Sequence, residues 1–196
     1  MKAFSTSILL AGVSLLSAAG ALAQTAPAPA APAAPESALA FNVGVVSDYR
    51  YRGISQSRLQ PALQGGADYT DKSGFYVGTW ASTINWIKDS GASDGPIELD
   101  IYGGYKASVG DITYDIGVLR YEYVGNKLGK VKGFVDANTT EAYGALTYGV
   151  FTAKYSYSLG DTFGNINSKG STYLDLNATF DMGGGFTLTP HVGRQV

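Results

Sequence analysis

Cysteine is absent from the chain, which excludes disulfides, thiol catalysis and Cys-ligated zinc. Histidine occurs once, at His191, so no site can rest on two imidazoles. Charge is sparse: Asp, Glu, Lys and Arg make up 15% of 196 residues, well under the roughly 25% of soluble globular chains. The balance of 14 basic against 16 acidic residues gives no basic footprint, so no nucleic-acid partner is expected. No apolar run reaches the about 20 residues of a helical membrane span. What the chain has in excess is glycine, 26 residues, and tyrosine, 14 residues. With a mean hydropathy of +0.00, this composition suits a β-rich chain that is neither disordered nor helical-membrane.

The N-terminus reads as an address. Lys2 precedes an apolar run, Ile8–Leu16, and Ala21-Leu22-Ala23 forms a small-residue cleavage motif. The expectation is a bacterial signal peptide over residues 1–23, cut between Ala23 and Gln24. Residues 24–37 are rich in Ala and Pro, can bury almost nothing, and read as an extended tether.

From residue 38 to 196 the pattern has period two, the mark of strands with one apolar and one polar face. Leu39, Phe41, Val43, Val45, Tyr49 and Tyr51 alternate with Ala40, Asn42, Gly44, Asp48, Arg50 and Arg52. Ile97, Leu99 and Ile101 alternate with Glu98, Asp100 and Tyr102; Leu174 and Leu176 alternate with Asp175 and Asn177. Phe151–Ser158 and Phe186–Gly193 read the same way, and weaker alternation covers 62–69, 75–86, 112–124 and 139–148. The reading is about nine strands. Within 112–124 the faces conflict, because Ile116 and Val118 share parity with Arg120 and Glu122. Either a bulge flips the face or the strand runs on past the membrane.

The connections alternate in length. Gly53–Pro61, Ile87–Pro96, Gly125–Asn138 and Gly160–Gly170 are long; Thr70–Gly74, Val109–Asp111, Gly149-Val150 and Met182–Gly185 are short. In an antiparallel meander every second loop lies at the same end, so one end carries only long loops. Outer-membrane barrels have this asymmetry. In hydrocarbon every backbone N–H and C=O needs a partner within the protein, which only helices and closed barrels supply. The expected fold is therefore all-β, an antiparallel up-and-down transmembrane β-barrel. Aromatics near strand ends, Tyr49, Tyr51, Tyr69, Phe75, Trp86, Tyr121, Tyr123, Tyr155, Tyr157 and Phe186, fit interfacial girdles.

In such a barrel the polar faces line a lumen. The expected lining residues are Asp48, Arg50, Arg52, Gln64, Asp68, Glu98, Asp100, Lys106, Lys154, Asp175, Asn177 and His191. Asp48, Arg50 and Arg52 fall near the same rim as Glu98 and Asp100, where opposite charges pair and brace the wall or set a transverse field. Arg52–Ser57 reads as a turn held by Gly53 and by Ser and Gln side chains, with an inward-folded constriction as the alternative.

Ser47-Asp48-Tyr49-Arg50-Tyr51-Arg52-Gly53-Ile54-Ser55-Gln56-Ser57, followed by Pro61-Ala62-Leu63-Gln64-Gly65-Gly66, resembles the TorF family of proteobacterial porin-like proteins. Gly74–Ser82, Glu98–Tyr105 and Tyr173–Asn177 resemble further segments of that family. The resemblance implies an outer-membrane β-barrel, with outer-membrane lipid and the barrel insertion machinery as partners. Barrels of this kind end on a strand with a terminal aromatic, usually Phe, whereas this chain reads Gly193-Arg194-Gln195-Val196. Nine strands also leave the first and last running the same way. The expectation is a C-terminally incomplete barrel whose parent has about 10–12 strands.

Catalytic readings are weak. There is no Gly-x-Ser-x-Gly elbow, and His191 beside Thr189 reads as a polar lumen residue. Asp161, Asn165 and Asn167 lack EF-hand spacing, and Met182-Gly183-Gly184-Gly185 is a turn with no Lys behind it. No enzyme activity, metal or cofactor is expected. The leading expectation is a porin-like barrel in the bacterial outer membrane, passing small polar solutes. A non-conducting barrel with a structural or surface-interaction role is the first alternative. A soluble periplasmic β-barrel binding an apolar ligand is the second, and it requires the apolar faces to point inward.

Overall fold

The structure is a computed structural model and describes residues 37–196. The expected signal peptide, its cut at Ala23–Gln24 and the tether up to residue 36 lie outside the described residues. Along the chain run β1 (Ala38–Val46), β2 (Arg50–Tyr51), β3 (Ile54–Ser55), β4 (Ala62–Thr70), β5 (Phe75–Thr83), β6 (Ile97–Val109) and β7 (Ile112–Val124). They are followed by β8 (Thr139–Tyr148), β9 (Phe151–Ser158), β10 (Thr172–Ala178), β11 (Phe180–Gly183), β12 (Phe186–Leu188) and β13 (His191–Gln195). Nine of these form one sheet in the order β1-β4-β5-β6-β7-β8-β9-β10-β13, and every pairing is antiparallel. The fold is all-β and up-and-down. Among the described residues the sheet is open: β1 and β13 are its two edges and run in the same direction.

The loop sorting follows from this order. Residues 47–61, 84–96, 125–138 and 159–171 lie at one end, and the tight turns after β4, β6 and β8 at the other. Two strand assignments change. The first strand ends at Val46, because the chain bends at Ser47-Asp48 and restarts as the β2–β3 hairpin. The expected strand over Phe186–Gly193 is split: β12 pairs with β11, and β13 pairs with β10. Pro190 sits at the break, where its missing N–H costs no ladder bond. The conflict within 112–124 resolves without a bulge. β7 keeps one register over 13 residues against β6, so Arg120 and Glu122 share the outer face with Ile116 and Val118, nearer the long-loop end. Its thirteen residues span roughly 43 Å.

The two faces of the sheet are inverted relative to a soluble protein. Exposed positions are Phe41 (74%), Val43, Val77, Ile101, Ile116, Leu146 and Leu176, while Gln64, Glu98, Asp100, Glu141 and Ser156 are buried. The buried polar face is concave. β5 and β8 are three strands apart, roughly 14 Å in a flat sheet, yet the Tyr76 and Tyr143 hydroxyls meet. Tyr76 also donates to Asp115 on β7, and Tyr102 on β6 donates to Asp68 on β4. The curl itself shows where Arg52, a few residues after edge strand β1, donates to Gln195 on β13, the far edge of a nine-stranded sheet roughly 38 Å wide if flat.

Glycine makes the curl possible. Gly78 lies directly across from Tyr102, Gly104 from Tyr76, and Gly117 from Tyr143. In each pair the tyrosine ring occupies the space where a Cβ would stand: a Cβ on Gly117 would lie 2.7 Å from Tyr143 Cζ. The paired excess of Gly and Tyr thus becomes a row of rings laid flat on bare backbone along the concave wall.

Candidate functional site: the concave polar face

The long loops fold over one end of the concave face. Ile84 and Ile87 from residues 84–96, and Leu128 and Ala137 from 125–138, are buried against Trp80, Tyr121 and Tyr123 of the strands. A one-turn helix, Trp86–Asp89, presents Ile87, and Trp86 meets Tyr123 edge-on at 5.1 Å. Of the residues expected in membrane-interface girdles, Tyr49, Tyr51, Trp86, Tyr121 and Tyr123 instead belong to this cluster. Tyr69, Phe75, Tyr155, Tyr157 and Phe186 are exposed. The parity reading failed for Tyr49 and Tyr51 because the bend at Ser47-Asp48 turns them inward.

The β2–β3 hairpin reaches across this end. Arg52 (φ 48°) and Gly53 (φ 82°) form its two-residue turn, the positive-φ pair that a type I′ turn requires. The hairpin's side chains bond to strands far from β1. Tyr49 Oη donates to Glu98 Oε1 on β6 (2.8 Å), and the Tyr51 hydroxyl meets that of Tyr121 on β7 (2.7 Å). The Arg52 guanidinium donates to Glu141 Oε2 on β8 (2.6 Å) and to Gln195 Oε1 on β13 (2.7 Å). It also lies over the Tyr51 and Tyr173 rings, 4.7 and 4.3 Å from their centres. Arg52 thereby links the chain just after one sheet edge to the opposite edge. Burial pushes the Tyr49 hydroxyl well above its ordinary pKa, and the Glu98 and Asp100 carboxylates push it further, so it stays a donor. Residues 52–57 are both a turn and an inward-folded element.

The structure places Arg52, Gln64, Asp68, Glu98, Asp100, Lys106, Lys154, Asp175, Asn177 and His191 on the concave side of their strands or hairpin. Gln64 Nε2 donates to Ser82 Oγ at 3.3 Å. Lys106 faces Asp115 across the β6–β7 ladder, and Lys154 Nζ sits 4.2 Å from the centre of the Tyr143 ring. Asp175 collects Tyr173, Asn177 and His191, the last at 3.1 Å.

Two expected lining residues go elsewhere. Arg50 is exposed and pairs with Asp48 at 2.8 Å, since it lies beyond the bend that reverses parity. Asp48 is bonded into the turn, accepting from Ser55 and Ser57 Oγ. The expected bracing of Arg50 and Arg52 against Glu98 and Asp100 also takes a different form: Arg52 engages Glu141, and Glu98 is held by Tyr49. Glu141 and Asp115 escaped the sequence reading because alternation in their strands is diluted by Gly, Ala and Tyr on both faces. Their signal was there in retrospect: each is a lone carboxylate among small residues and rings.

Asp161 accepts from the backbone N–H groups of Ser168 (2.9 Å) and Lys169 (3.1 Å), so it closes its own loop. Among the described residues no group of three or more His, Asp or Glu side chains is arranged to hold a metal ion. No helix of the described residues is long and apolar enough to cross a membrane.

A family model with the description "Bacterial protein of unknown function (Gcw_chp)" matches residues 29–196. No curated protein and no solved structure matches the chain.

Proposed function

This chain belongs to the Gcw_chp family of bacterial proteins, and from that premise and its two inverted faces we propose that it is an outer-membrane β-barrel of porin type. Its apolar face meets lipid, and its concave polar face lines a path for small polar solutes. One observation carries the reading. Phe41, Ile101 and Leu176 look outward while Glu98, Asp100 and Glu141 are buried inward. In water that arrangement leaves a continuous greasy surface exposed and places carboxylates where apolar side chains belong. In a bilayer both faces are matched: hydrocarbon outside, a polar lining that lowers the desolvation cost of crossing inside. The soluble reading, with apolar faces turned in toward a ligand, has the opposite polarity to the one seen.

A specific observation also favours the non-conducting alternative. Ile87 and Leu128 are fully buried at the long-loop end, and the β2–β3 hairpin crosses the same end. Small barrels can be filled by their own side chains. Planar-bilayer recording on the purified protein separates the two. Discrete conductance steps support the porin reading. A silent bilayer, with the protein recovered in the outer-membrane fraction, rejects it in favour of a filled barrel.

A further inference from the structure

We propose that the concave face is a cation-selective lining, and that Asp100 is its main selectivity-determining residue. This inference rests on the porin reading and names the class of solute that reading would pass.

The argument begins with which charges face in. Asp68, Glu98, Asp100, Asp115, Glu141 and Asp175 lie on the concave side. Among the described residues the Lys and Arg side chains on that side are Arg52, Lys106 and Lys154, with His191 set against Asp175. Arg120 and Glu122 pair with each other on the outer face, and Arg50 and Asp48 pair at the turn. The sequence alone mixes both signs; sorting by face leaves the inside acidic, six carboxylates against three cations.

Of the three most buried carboxylates, Glu141 has a cation, and Glu98 and Asp100 have no salt bridge. Arg52 is committed to Glu141, Lys154 lies over the Tyr143 ring, and Lys106 faces Asp115. Glu98 has a phenol, Tyr49, in place of a base. Asp100 is 3% exposed, and its Oδ1 has no hydrogen-bond partner. It stands two residues from Glu98 on the same strand face, roughly 7 Å along β6. An ionised carboxylate in that position needs a counter-charge. The charge of Lys154 reaches Asp100, but no hydrogen bond joins the two, and a mobile cation in the path supplies the direct counter-charge. The arrangement has no tight set of ligands, so it attracts small monovalent cations without trapping them, as conduction requires.

The test is the reversal potential of the protein in a planar bilayer under a tenfold KCl gradient, for the native chain and for Asp100→Asn. One charge about 7 Å from a permeating ion in water changes its local concentration about threefold. The native protein is expected to favour K⁺ over Cl⁻ by roughly tenfold, and Asp100→Asn to lower that ratio roughly sevenfold, because the cation's local concentration falls by about the factor by which the anion's rises. Conductance steps that reverse at zero voltage, or with anion preference, overturn this inference and leave the porin reading standing. A bilayer with no steps overturns the porin reading and this inference with it. A native cation preference that Asp100→Asn leaves unchanged overturns the role of Asp100. Because the asparagine is isosteric and the native measurement needs no variant, a folding defect in the mutant does not protect the proposal.

Discussion

Placing an arginine on the outer face of β7 tests whether that face meets lipid, and the cost should depend on height along the strand. Ile116 is 57% exposed and lies four residues beyond Ile112, where β7 begins at the short-turn end. Four residues rise roughly 13 Å along the strand, or about 10 Å along the barrel axis for a strand tilted by about 40°. The apolar band of an outer-membrane barrel is about 25 Å tall, so Ile116 falls within a few ångströms of its middle. Ile116→Arg should therefore destabilise the folded protein in lipid vesicles by about 2–4 kcal/mol, while Ile112→Arg, at the band's edge, should cost about 0–1 kcal/mol. Urea titration of vesicle-inserted protein, followed by tyrosine and tryptophan fluorescence, reads both values. Equal costs at the two heights, or a near-zero cost at Ile116, would refute the placement of this face in hydrocarbon. A solvent-exposed strand position in water gives that flat result.

Further outcomes follow from the concave side. Arg52→Ala leaves Glu141 buried without its partner and should cost about 3–5 kcal/mol, together with faster chymotrypsin cleavage at Tyr49 and Tyr51 as the hairpin loosens. Arg120→Ala, which removes a half-exposed pair on the outer face, should cost no more than about 1 kcal/mol in the same urea titration. Gly78→Val puts a branched side chain into the space of the Tyr102 ring and should destabilise by about 1–3 kcal/mol; Gly78→Val combined with Tyr102→Ala should recover part of that loss, and strict additivity would contradict the ring-on-glycine packing. Tyr76→Phe removes the donor to Asp115 and should cost about 1–3 kcal/mol by the same measurement.

How much of this was readable beforehand differs from strand to strand. β6 announced itself: Ile97, Leu99 and Ile101 against Glu98, Asp100 and Tyr102 is a clean two-faced ribbon, and the structure keeps that alternation in an unbroken register with both neighbours. The loop lengths carried the strand order, because a meander sorts its connections by end. The parity of Tyr49, Arg50 and Tyr51 was misread, since period two holds only while the strand is straight. Nothing local in Ser47-Asp48 marks the bend; it is fixed by Asp48 accepting from Ser55 and Ser57, several residues downstream. The same limit hid the roles of the glycines. Their abundance was visible, but that Gly78, Gly104 and Gly117 each face a tyrosine depends on cross-strand register, which composition does not encode. Glu141 was overlooked for a related reason: its partner is an arginine 89 residues away that reaches it only once the sheet has curled.

The account stands on which side of the ribbon touches lipid, and spin-label accessibility reads that residue by residue. Labels at Phe41, Ile101 and Leu176, with Asp100 and Ser156 as concave-side counterparts, are measured in vesicles against oxygen, which concentrates in hydrocarbon, and a water-soluble nickel chelate. The first three should be oxygen-accessible and shielded from nickel, with the other two shielded from oxygen. Outward labels that collide freely with nickel in the membrane-bound protein would contradict the account at its root.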